Sequence, residues 1–348
     1  MSIETDTREV KAMTSLKDIA QVCGVSVATV SKALNNHSDV SEARREQIKS
    51  KARELGYFPN QAARALKTRS TMDIGVLFAD AHNSGLTHPY FSQVLEGLKI
   101  RTEERGYDLT FIGIKSKRNK MTFLEHCVYR NVDGVVVACV DFNQPEVLEL
   151  VRSRLPVVTI DHVMDDCATI SSNNVEGMTR LTQHVLSKGH RKVAYIHGRP
   201  SSTTSERMVR FFRAMEEKGI DPPEAYIREI PYLDDEAAYD TTLELLALED
   251  RPTCIMYPDD YCCIGGINAI RDMGLSVPED VSVTGYDGVP IARVVSPKIT
   301  TYQQNMLEIG QTAADKVIEL IERPRTAIKN NTVIGGTLFE GGSVGTIK

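Results

Sequence analysis

The first periodic stretch of the chain places apolar residues three and four positions apart, the spacing of one buried face of a short helix. Ile19, Ala20 and Cys23 carry this face. Ser15 and Asp18 form a capping-box pattern, in which each polar side chain satisfies an amide at the helix start. We therefore predict a short helix that begins directly after the serine.

A second short helix follows after a tight turn. Gly24 can end the first helix in a left-handed conformation, and Ser26 can cap the second, which turns Val30 and Leu34 inward. Its outward positions are short and mostly polar, as suits a groove: Val27, Ala28, Ser31, Lys32 and Asn35. This arrangement predicts a helix-turn-helix, a motif that inserts its second helix into the major groove of DNA. A helical hairpin with no DNA partner is the alternative.

A third helix completes the head. Ser41 can cap it, Ile48, Ala52 and Leu55 form its apolar stripe, and Gly56 can end it. The segment 14–70 holds ten Lys or Arg against five Asp or Glu, whereas the whole chain has a formal net charge of −6. A basic head on an acidic body favours binding of nucleic acid by that end of the chain.

Beyond residue 72 the pattern changes to short β-branched runs that alternate with amphipathic segments. Continuous apolar runs separated by helices predict parallel strands covered on both faces, which is a doubly wound α/β body. The expected strands are 74–78, 108–112, 134–138, 156–160, 192–196, 253–257 and 281–285, with a last strand at 337–340.

A weak internal repeat indicates that the body has two similar lobes. The stretches 103–108 and 216–221 each place a glycine at the end of a helix that follows the first strand of its lobe. Two lobes leave a cleft, and ligands of open α/β sheets bind beyond the carboxyl ends of the strands. Asp161, Asp259 and Asp287 stand just beyond expected strand ends. Asp at such a position also commonly caps the next helix, so both roles remain open.

Length and composition indicate how many hydrophobic cores the chain has and whether it enters a membrane. A chain of 348 residues needs two or three hydrophobic cores besides the small head. It contains no run of about 18 apolar residues, and residues 1–13 are polar and mixed in charge, without the apolar stretch of a signal peptide. We therefore expect a cytoplasmic protein with a disordered extension at 1–13 and no membrane partner.

The seven cysteines are odd in number and show neither a CxxC pair nor metal-ligand spacing to histidine. They are best explained as reduced, buried thiols. The chain also lacks a G-x-G-x-x-G after a strand, a phosphate loop and a nucleophile with a base nearby. We expect no metal, no cofactor and no enzymatic activity.

The head, the segment 56–60 and the two-lobed body together resemble the LacI/GalR family of bacterial transcriptional regulators over nearly the whole chain. The most specific stretches are 27–31, 56–60, 184–191, 277–287 and 296–301. The resemblance implies a helix-turn-helix head, a hinge helix, and two parallel-sheet lobes like those of periplasmic binding proteins.

The expected domains follow the same order along the chain. The head occupies 14–58, the hinge helix and linker 59–71, and the effector-binding and dimerisation body 72–345. The body divides into an N-lobe of about 72–173 and 302–332 and a C-lobe of about 174–301 and 333–345.

In the head, the resemblance gives Val27, Ala28 and Lys32 the role of reading base edges. Lys32 stands where family members often have Arg, and because Lys lacks the planar guanidinium fork, looser base discrimination is expected there. The other matching positions of the head are Leu16, Lys17, Ser26, Thr29, Ser31, Asn35, Ser41 and Tyr57. In the hinge they are Asn60, Ala63 and Leu66, of which Leu66 resembles the leucine that wedges into the minor groove. Two heads related by a two-fold axis require a near-palindromic operator, so the expected DNA-binding form is a homodimer.

In the cleft, the resemblance implies a small-molecule site on both lobes. Its residues are His88, Tyr90, Phe91, Asp161, Arg207, Tyr232, Asp259, Asp287 and Gln304. Arginine and carboxylates suit the vicinal hydroxyls of a sugar, because each forms two parallel hydrogen bonds. For Arg207, a surface ion pair is the alternative.

Two departures from the family pattern fall at this cleft. The loop 83–88 is longer than usual before the proline, and Asp259 stands where Asn is usual, which removes a donor and adds a charge. The effector should then offer hydroxyls or a cation rather than a phosphate or a carboxylate.

These residues predict a repressor whose operator affinity is controlled allosterically by a small effector, with a carbohydrate favoured. A non-sugar effector or a protein corepressor is the alternative within the class. Outside it, the body alone resembles a sugar-binding protein, either cytoplasmic or periplasmic, but the basic head and the lack of a signal peptide argue against the periplasmic form.

Overall fold

The computed structural model of the protein describes residues 14–57, 70–79, 85–113 and 121–347. Two compact units are present, with the division between Thr71 and Met72. The expected extension at 1–13 lies outside the described residues, as does the expected hinge from 59 to 69.

Three helices build the first unit: α1 (Leu16–Cys23), α2 (Val27–Leu34) and α3 (Glu42–Glu54). The predicted capping box is present, since the Ser15 hydroxyl accepts a hydrogen bond from the Asp18 amide and the Asp18 carboxylate accepts one from the Ser15 amide. Gly24 ends α1 with φ 63°, the left-handed conformation expected there.

The core of the first unit forms where the three helices meet. Ile19, Val30 and Ile48 are fully buried, whereas Leu34 is only half-buried because Ala33 takes the inner position at the end of α2. Ser41 precedes α3 as predicted, but its side chain makes no capping hydrogen bond. The expectation that this hydroxyl caps the helix is therefore wrong.

Two six-stranded sheets build the second unit. The first has the order β11-β5-β4-β3-β1-β2 and is wholly parallel, and the second has the order β12-β10-β9-β8-β6-β7. In the second sheet β12 runs antiparallel to β10 and the other pairs are parallel. The strands are β1 (Asp73–Phe78), β2 (Asp108–Ile112), β3 (Gly134–Ala138), β4 (Val157–Ile160), β5 (Ala168–Ser172), β6 (Val193–His197), β7 (Ile227–Glu229), β8 (Cys254–Met256), β9 (Ser282–Asp287), β10 (Thr300–Gln303), β11 (Asn331–Ile334) and β12 (Thr337–Phe339).

The expected strands are all present, displaced by at most two residues at either end. The structure adds β5, β7, β10 and β11, which the hydrophobic pattern did not indicate. These strands are short, and β5, β10 and β11 carry Thr, Ser, Gln or Asn instead of a continuous apolar run. The antiparallel β12 corrects the expectation of purely parallel sheets.

Helices cover both faces of each sheet, as the parallel pattern requires. They are α4 (Pro89–Glu104), α5 (Phe123–Arg130), α6 (Pro145–Val151), α7 (Asn174–Ser187), α8 (Ser202–Glu216), α9 (Asp235–Leu246), α10 (Asp260–Asp272) and α11 (Met306–Glu322). On the first sheet α4 and α11 share one core, and α5 and α6 border the other. On the second sheet α7 and α8 cover one face and α9 and α10 the other.

A close crossing of α4 and α11 depends on small residues. A Cβ on Gly310 would lie 1.9 Å from the Val94 carbonyl oxygen, and one on Gly97 would lie 2.1 Å from that of Leu307. Neither backbone can move far enough to accept a Cβ at these distances. Glycine at both positions therefore allows the two helices to pack this closely.

The chain crosses between the sheets at points slightly different from those expected. Tyr302 and Gln303, expected in the N-lobe, lie in β10 of the second sheet, while Val333 and Ile334, expected in the C-lobe, lie in β11 of the first. The lobe boundaries at 301/302 and 332/333 are corrected accordingly.

Six of the seven cysteines are buried and Cys139 is half-buried. Across the described ranges, no helix is both long and apolar enough to cross a membrane.

Candidate functional site

The second helix of the head presents an accessible face. Ser26 caps α2 by accepting a hydrogen bond of 3.1 Å from the Thr29 amide. Ala28 and Lys32 are exposed, and Val27, an apolar side chain, is 41% exposed. The outward face of α2 is thus accessible, as contact with a DNA groove requires.

Lys32 is held by a carboxylate rather than extended freely. Its ammonium donates to Asp39 in the loop between α2 and α3. Arg45 of α3 fixes that loop by donating to the carbonyl oxygens of His37 and Val40, each at 3.0 Å. The long side chain of Lys32 therefore has a defined direction at the surface of the head.

The other expected DNA contacts of the head differ in exposure. Lys17, Asn35 and Ser41 are exposed, and Leu16, Thr29, Ser31 and Tyr57 are half-buried. The half-buried Leu16 and Tyr57 also pack against the head core. The hinge residues Asn60, Ala63 and Leu66 lie outside the described residues.

A cavity of about 530 Å³ opens in the body and is lined by residues that follow strands of both sheets. All nine residues expected to bind an effector line it: His88, Tyr90, Phe91, Asp161, Arg207, Tyr232, Asp259, Asp287 and Gln304. This position, beyond the carboxyl ends of parallel strands, is the usual ligand position of open α/β sheets.

Asp161 follows β4 and is fixed from both sides. One carboxylate oxygen accepts a hydrogen bond of 2.6 Å from the Tyr90 hydroxyl, and the other accepts one of 2.9 Å from the Ser172 amide. Burial raises the pKa of this carboxyl, and the bonds from Tyr90 and Ser172 counteract the rise.

Arg207 is buried, with 4% of its surface exposed, so the alternative of a surface ion pair is wrong. Its guanidinium donates to the side-chain oxygen of Asn174 at 2.9 Å and to the Pro258 carbonyl at 3.2 Å, and it lies 3.6 Å from the ring centre of Tyr286. One terminal nitrogen lies 3.8 Å from an Asp287 oxygen. These contacts hold a charged, planar donor in place inside the cavity wall.

Asp287 and Gln304 form the polar floor beside this arginine. The Gln304 amide nitrogen donates to the Asp287 carboxylate at 2.6 Å. Burial raises the pKa of Asp287 to about 7, although Arg207 nearby lowers it. The Gln304 side-chain oxygen is buried and has no hydrogen-bond partner among the described residues. This site thus contains an acceptor that lacks a donor.

Asp259 has the structural role that the sequence left open. It precedes α10, accepts a hydrogen bond of 2.8 Å from the Cys262 amide, and accepts another of 2.9 Å from the Leu233 amide. Both oxygens serve the protein backbone, so the carboxylate in place of Asn secures the helix start and a neighbouring loop. The carboxylate retains its negative charge, which contributes to the raised pKa of Asp287.

Tyr232 and His88 also have partners in the protein. The Tyr232 hydroxyl lies 2.9 Å from that of Thr204, which fixes the ring at the cavity wall. The His88 imidazole accepts a hydrogen bond of 3.3 Å from the Phe91 amide and thereby caps α4. Its position at the cavity therefore has a structural cause as well.

Four non-glycine residues of the cavity wall have left-handed backbone conformations. Cys139, Asp161, Leu233 and Asp287 have φ values of 54°, 56°, 60° and 93°. Such conformations cost about 1–3 kcal/mol each and cluster at functional sites. They turn the chain sharply after β3, β4 and β9 and direct polar groups into the cavity.

The sequence interpretation missed two aromatic residues of the cavity. Phe142 and His162 stack with 4.0 Å between ring centres and an angle of 9° between their planes. His162 lies just beyond the end of β4, so the rule that selected Asp161 could also have selected it, whereas Phe142 is apolar and lies four residues beyond β3. Among the described residues, no group of three or more His, Cys, Asp or Glu side chains could hold a metal ion.

A basic helix-turn-helix head and a two-lobed α/β body with a ligand-sized cavity define a class of protein, the ligand-controlled transcription regulators. Comparison with known proteins identifies the group within that class. The description "Bacterial regulatory proteins, lacI family" matches residues 15–60, and "Periplasmic binding protein-like domain" matches residues 182–344.

Two curated relatives extend over nearly the whole chain. The HTH-type transcriptional repressor PurR of Aliivibrio salmonicida is 30% identical over 315 residues, covering 89% of this chain and 93% of the relative. The ribose operon repressor of Escherichia coli K12 is 30% identical over 321 residues, covering 90% of this chain and 94% of the relative. The chain belongs to the LacI family, and it is a DNA-binding transcriptional repressor rather than an enzyme.

Solved structures have the same fold. The lac repressor dimer bound to operator and an anti-inducer superimposes with a TM-score of 0.82 at 24% identity, covering 96% of this chain and all of that one. The complex of the transcriptional regulator CelR with cellobiose gives a TM-score of 0.71 at 23% identity, covering 95% of this chain and 99% of the CelR chain. The expected fold class is confirmed by this likeness.

Proposed function

We propose that this repressor is a cytoplasmic homodimer whose affinity for a near-palindromic operator is controlled by a carbohydrate bound in the cavity. The observation that carries the effector class is the buried polar floor formed by Arg207, Asp287 and Gln304. It offers the fixed cationic donor of Arg207 beside the Asp287 carboxylate and the Gln304 side-chain oxygen, and this oxygen has no donor within the described residues.

Hydroxyl groups suit this floor better than anions do. A hydroxyl can donate to the Asp287 carboxylate or the Gln304 carbonyl and accept from Arg207 at the same time. A phosphate or a carboxylate would lie beside the carboxyl groups of Asp161 and Asp287, whose ionised forms repel an anion. The Tyr232 ring offers a flat surface for the apolar face of a sugar.

Two of the similar proteins are associated with a sugar. One is the repressor of a ribose operon and the other was solved with cellobiose. The PurR repressor is as similar to this chain as the ribose operon repressor is, so the effector class depends on the cavity itself and not on the resemblance.

For the head, we propose that Val27 and Ala28 contact thymine methyl groups and that Lys32 donates to guanine. The remaining outward positions would contact phosphates, helped by the amides at the start of α2. The hinge, with Leu66 as the wedge into the minor groove, completes the proposed contact with DNA.

The proposed dimer has a surface available on the first sheet. Within the described residues β2 pairs only with β1, so its outer edge is unpaired. Phe111 on this strand is 49% exposed, and Val128 and Tyr129 on the neighbouring α5 are 66% and 70% exposed. A second copy that covers this apolar edge would remove it from water and bring two heads together.

The effector would act through its different affinity for two arrangements of the lobes. An effector that binds one arrangement more tightly increases the population of that arrangement. Because the operator also binds one arrangement more tightly, the bound effector changes the affinity of the protein for the operator. No direct contact between effector and DNA is needed.

A thermal-shift screen of the full chain against neutral sugars, sugar phosphates and nucleobases tests the effector class. A ligand at 100 times its dissociation constant stabilises the protein by about 2.7 kcal/mol, which is readily measured. We expect neutral sugars to give shifts and to change operator binding, measured by fluorescence anisotropy.

Two arginine variants sharpen this test. Arg207→Ala should abolish the sugar-induced shift, whereas Arg213→Ala, on an exposed position of the same helix α8, should retain it. Shifts by sugar phosphates or nucleobases alone, with neutral sugars inactive, would exclude the carbohydrate class.

Deletion of residues 1–70 tests the separation of the two units. The shortened protein should lose operator binding and keep effector binding, because the cavity is built wholly from residues beyond 72. Loss of effector binding by a protein that still folds would contradict the proposal.

A further inference from the structure

The cavity is larger than one sugar ring requires. A hexopyranose fills roughly 200 Å³ at the packing density of a protein interior. The cavity has a volume of about 530 Å³. A single ring seated on the polar floor would therefore leave more than half of the volume unfilled.

The stacked rings of Phe142 and His162 also line the cavity. They are not part of the polar floor, and both are half-buried at the cavity wall. Because the two rings lie face to face, each covers one face of the other, and the pair offers an outer ring face or its edges for contact with the CH groups of a sugar ring.

Both members of the pair are fixed by their own backbones. The His162 carbonyl oxygen accepts hydrogen bonds from the Thr159 and Thr169 hydroxyls at 2.7 and 3.3 Å. The loop that carries Phe142 turns on Asp141, whose side chain accepts a hydrogen bond of 3.0 Å from the Asn143 amide. The stack is therefore in place without a ligand, which lowers the entropic cost of binding against it.

The imidazole adds polar selectivity to this surface. Burial lowers the pKa of His162, so the ring is neutral at neutral pH and offers one donor and one acceptor. Its side chain makes no hydrogen bond with the residues that the structure describes. Separate hydroxyls of a second sugar ring can donate to one imidazole nitrogen and accept from the other.

We propose that the effector is a disaccharide or a larger glycoside, whose first ring occupies the polar floor and whose second ring packs on Phe142 and His162. This inference rests on the proposed carbohydrate effector and adds its size. In this proposal Phe142 and His162 are the residues that make the protein bind a disaccharide more tightly than a monosaccharide.

Isothermal titration of the full chain at pH 8 tests the proposal. The probes are glucose, galactose, ribose and fructose, and the disaccharides maltose, cellobiose, lactose, sucrose and trehalose. We expect at least one disaccharide to bind tenfold or more tightly than each of its component sugars.

The variants Phe142→Ala and His162→Ala should each weaken the binding of that disaccharide about five- to tenfold and change monosaccharide binding less than twofold. Phe142→Tyr keeps the ring and should restore most of the affinity. Val163→Ala is the matched control, because this neighbouring side chain is 55% exposed and outside the cavity wall. Thermal melts of each variant verify that the lobe is folded.

Three outcomes would overturn the inference. A monosaccharide that binds as tightly as every disaccharide containing it would remove the need for a second ring. Equal losses for one-ring and two-ring sugars in Phe142→Ala and His162→Ala would make the stack part of the first site. An absence of binding by any sugar, with nucleobases bound instead, would overturn the proposed effector class itself and so is distinguishable from the other two.

Discussion

We expect the carboxyl group of Asp287 to make the proposed effector binding dependent on pH. Burial raises the pKa of this group to about 7, compared with a reference value of 3.8. The protonated form is thus populated near neutral pH. A sugar hydroxyl that donates to this carboxylate requires the ionised form, so binding and proton release are linked.

The direction and size of the effect follow from that pKa. Above pH 8 nearly all cavities hold the ionised form and the affinity is at its maximum. At pH 6 only about one in ten does, so the apparent dissociation constant should rise about tenfold between pH 8 and pH 6. At pH 7, where half of the carboxyls are protonated, binding should release about half a proton per site.

Isothermal titration with the tightest sugar of the screen measures both quantities. The dissociation constant is determined from pH 6 to pH 8. At pH 7 the titration is repeated in phosphate and in Tris, whose ionisation enthalpies differ, so that the change in observed enthalpy counts the protons released.

The variant Asp287→Asn removes the ionisable group at this position and so measures its contribution to the pH dependence of binding. An Asn oxygen can still accept from Gln304, so the local structure should be retained, while binding becomes weaker at pH 8 and independent of pH. Asp250→Asn, an exposed position that pairs with Lys192, should keep the pH dependence of the unmodified protein. A dissociation constant that is constant within twofold from pH 8 to pH 6, with no buffer effect at pH 7, would refute the linkage.

Three further predictions concern stability and DNA binding. Gly177→Ala would place a methyl group 2.1 Å from the Tyr286 hydroxyl oxygen, and the resulting overpacking should lower the free energy of unfolding by about 1–3 kcal/mol in urea titrations. Ser15→Ala should destabilise the head by about 1 kcal/mol in amide hydrogen exchange of α1, whereas Ser41→Ala, which removes no capping bond, should have no such effect on α3. Lys32→Ala should weaken operator binding by about 1–3 kcal/mol and relax discrimination at the base pair that Lys32 reads, and an unchanged affinity and specificity would contradict the proposed base contact.

The fold was largely predictable because its main elements carry local signals. The helices of the head have caps and apolar stripes, and the central strands β1, β3 and β4 are continuous apolar runs. The peripheral strands β5 and β11 have no such signal, since their stability comes from pairing with neighbours that are distant in sequence. Long-range pairing of this kind overrides local propensity.

The cavity residues were predictable as a set, but their individual roles were not. Asp161 and Asp287 are recognisable because they follow strands, yet nothing in the sequence indicates that Asp259 binds the Leu233 amide. The same holds for the stack of Phe142 on His162, which joins the ends of two different strands. Such contacts depend on how loops fold over a finished sheet.

The strained turns around the cavity explain why a polar site can exist before a ligand arrives. Asp161 and Asp287 have left-handed backbones at a cost of about 1–3 kcal/mol each, and the surrounding hydrogen bonds from Tyr90, Ser172 and Gln304 offset that cost. Because the carboxylates are already fixed, an effector need not order them and its binding free energy remains available to select between lobe arrangements. Fixed groups on both lobes are therefore the physical condition under which a small ligand can select one lobe arrangement over the other.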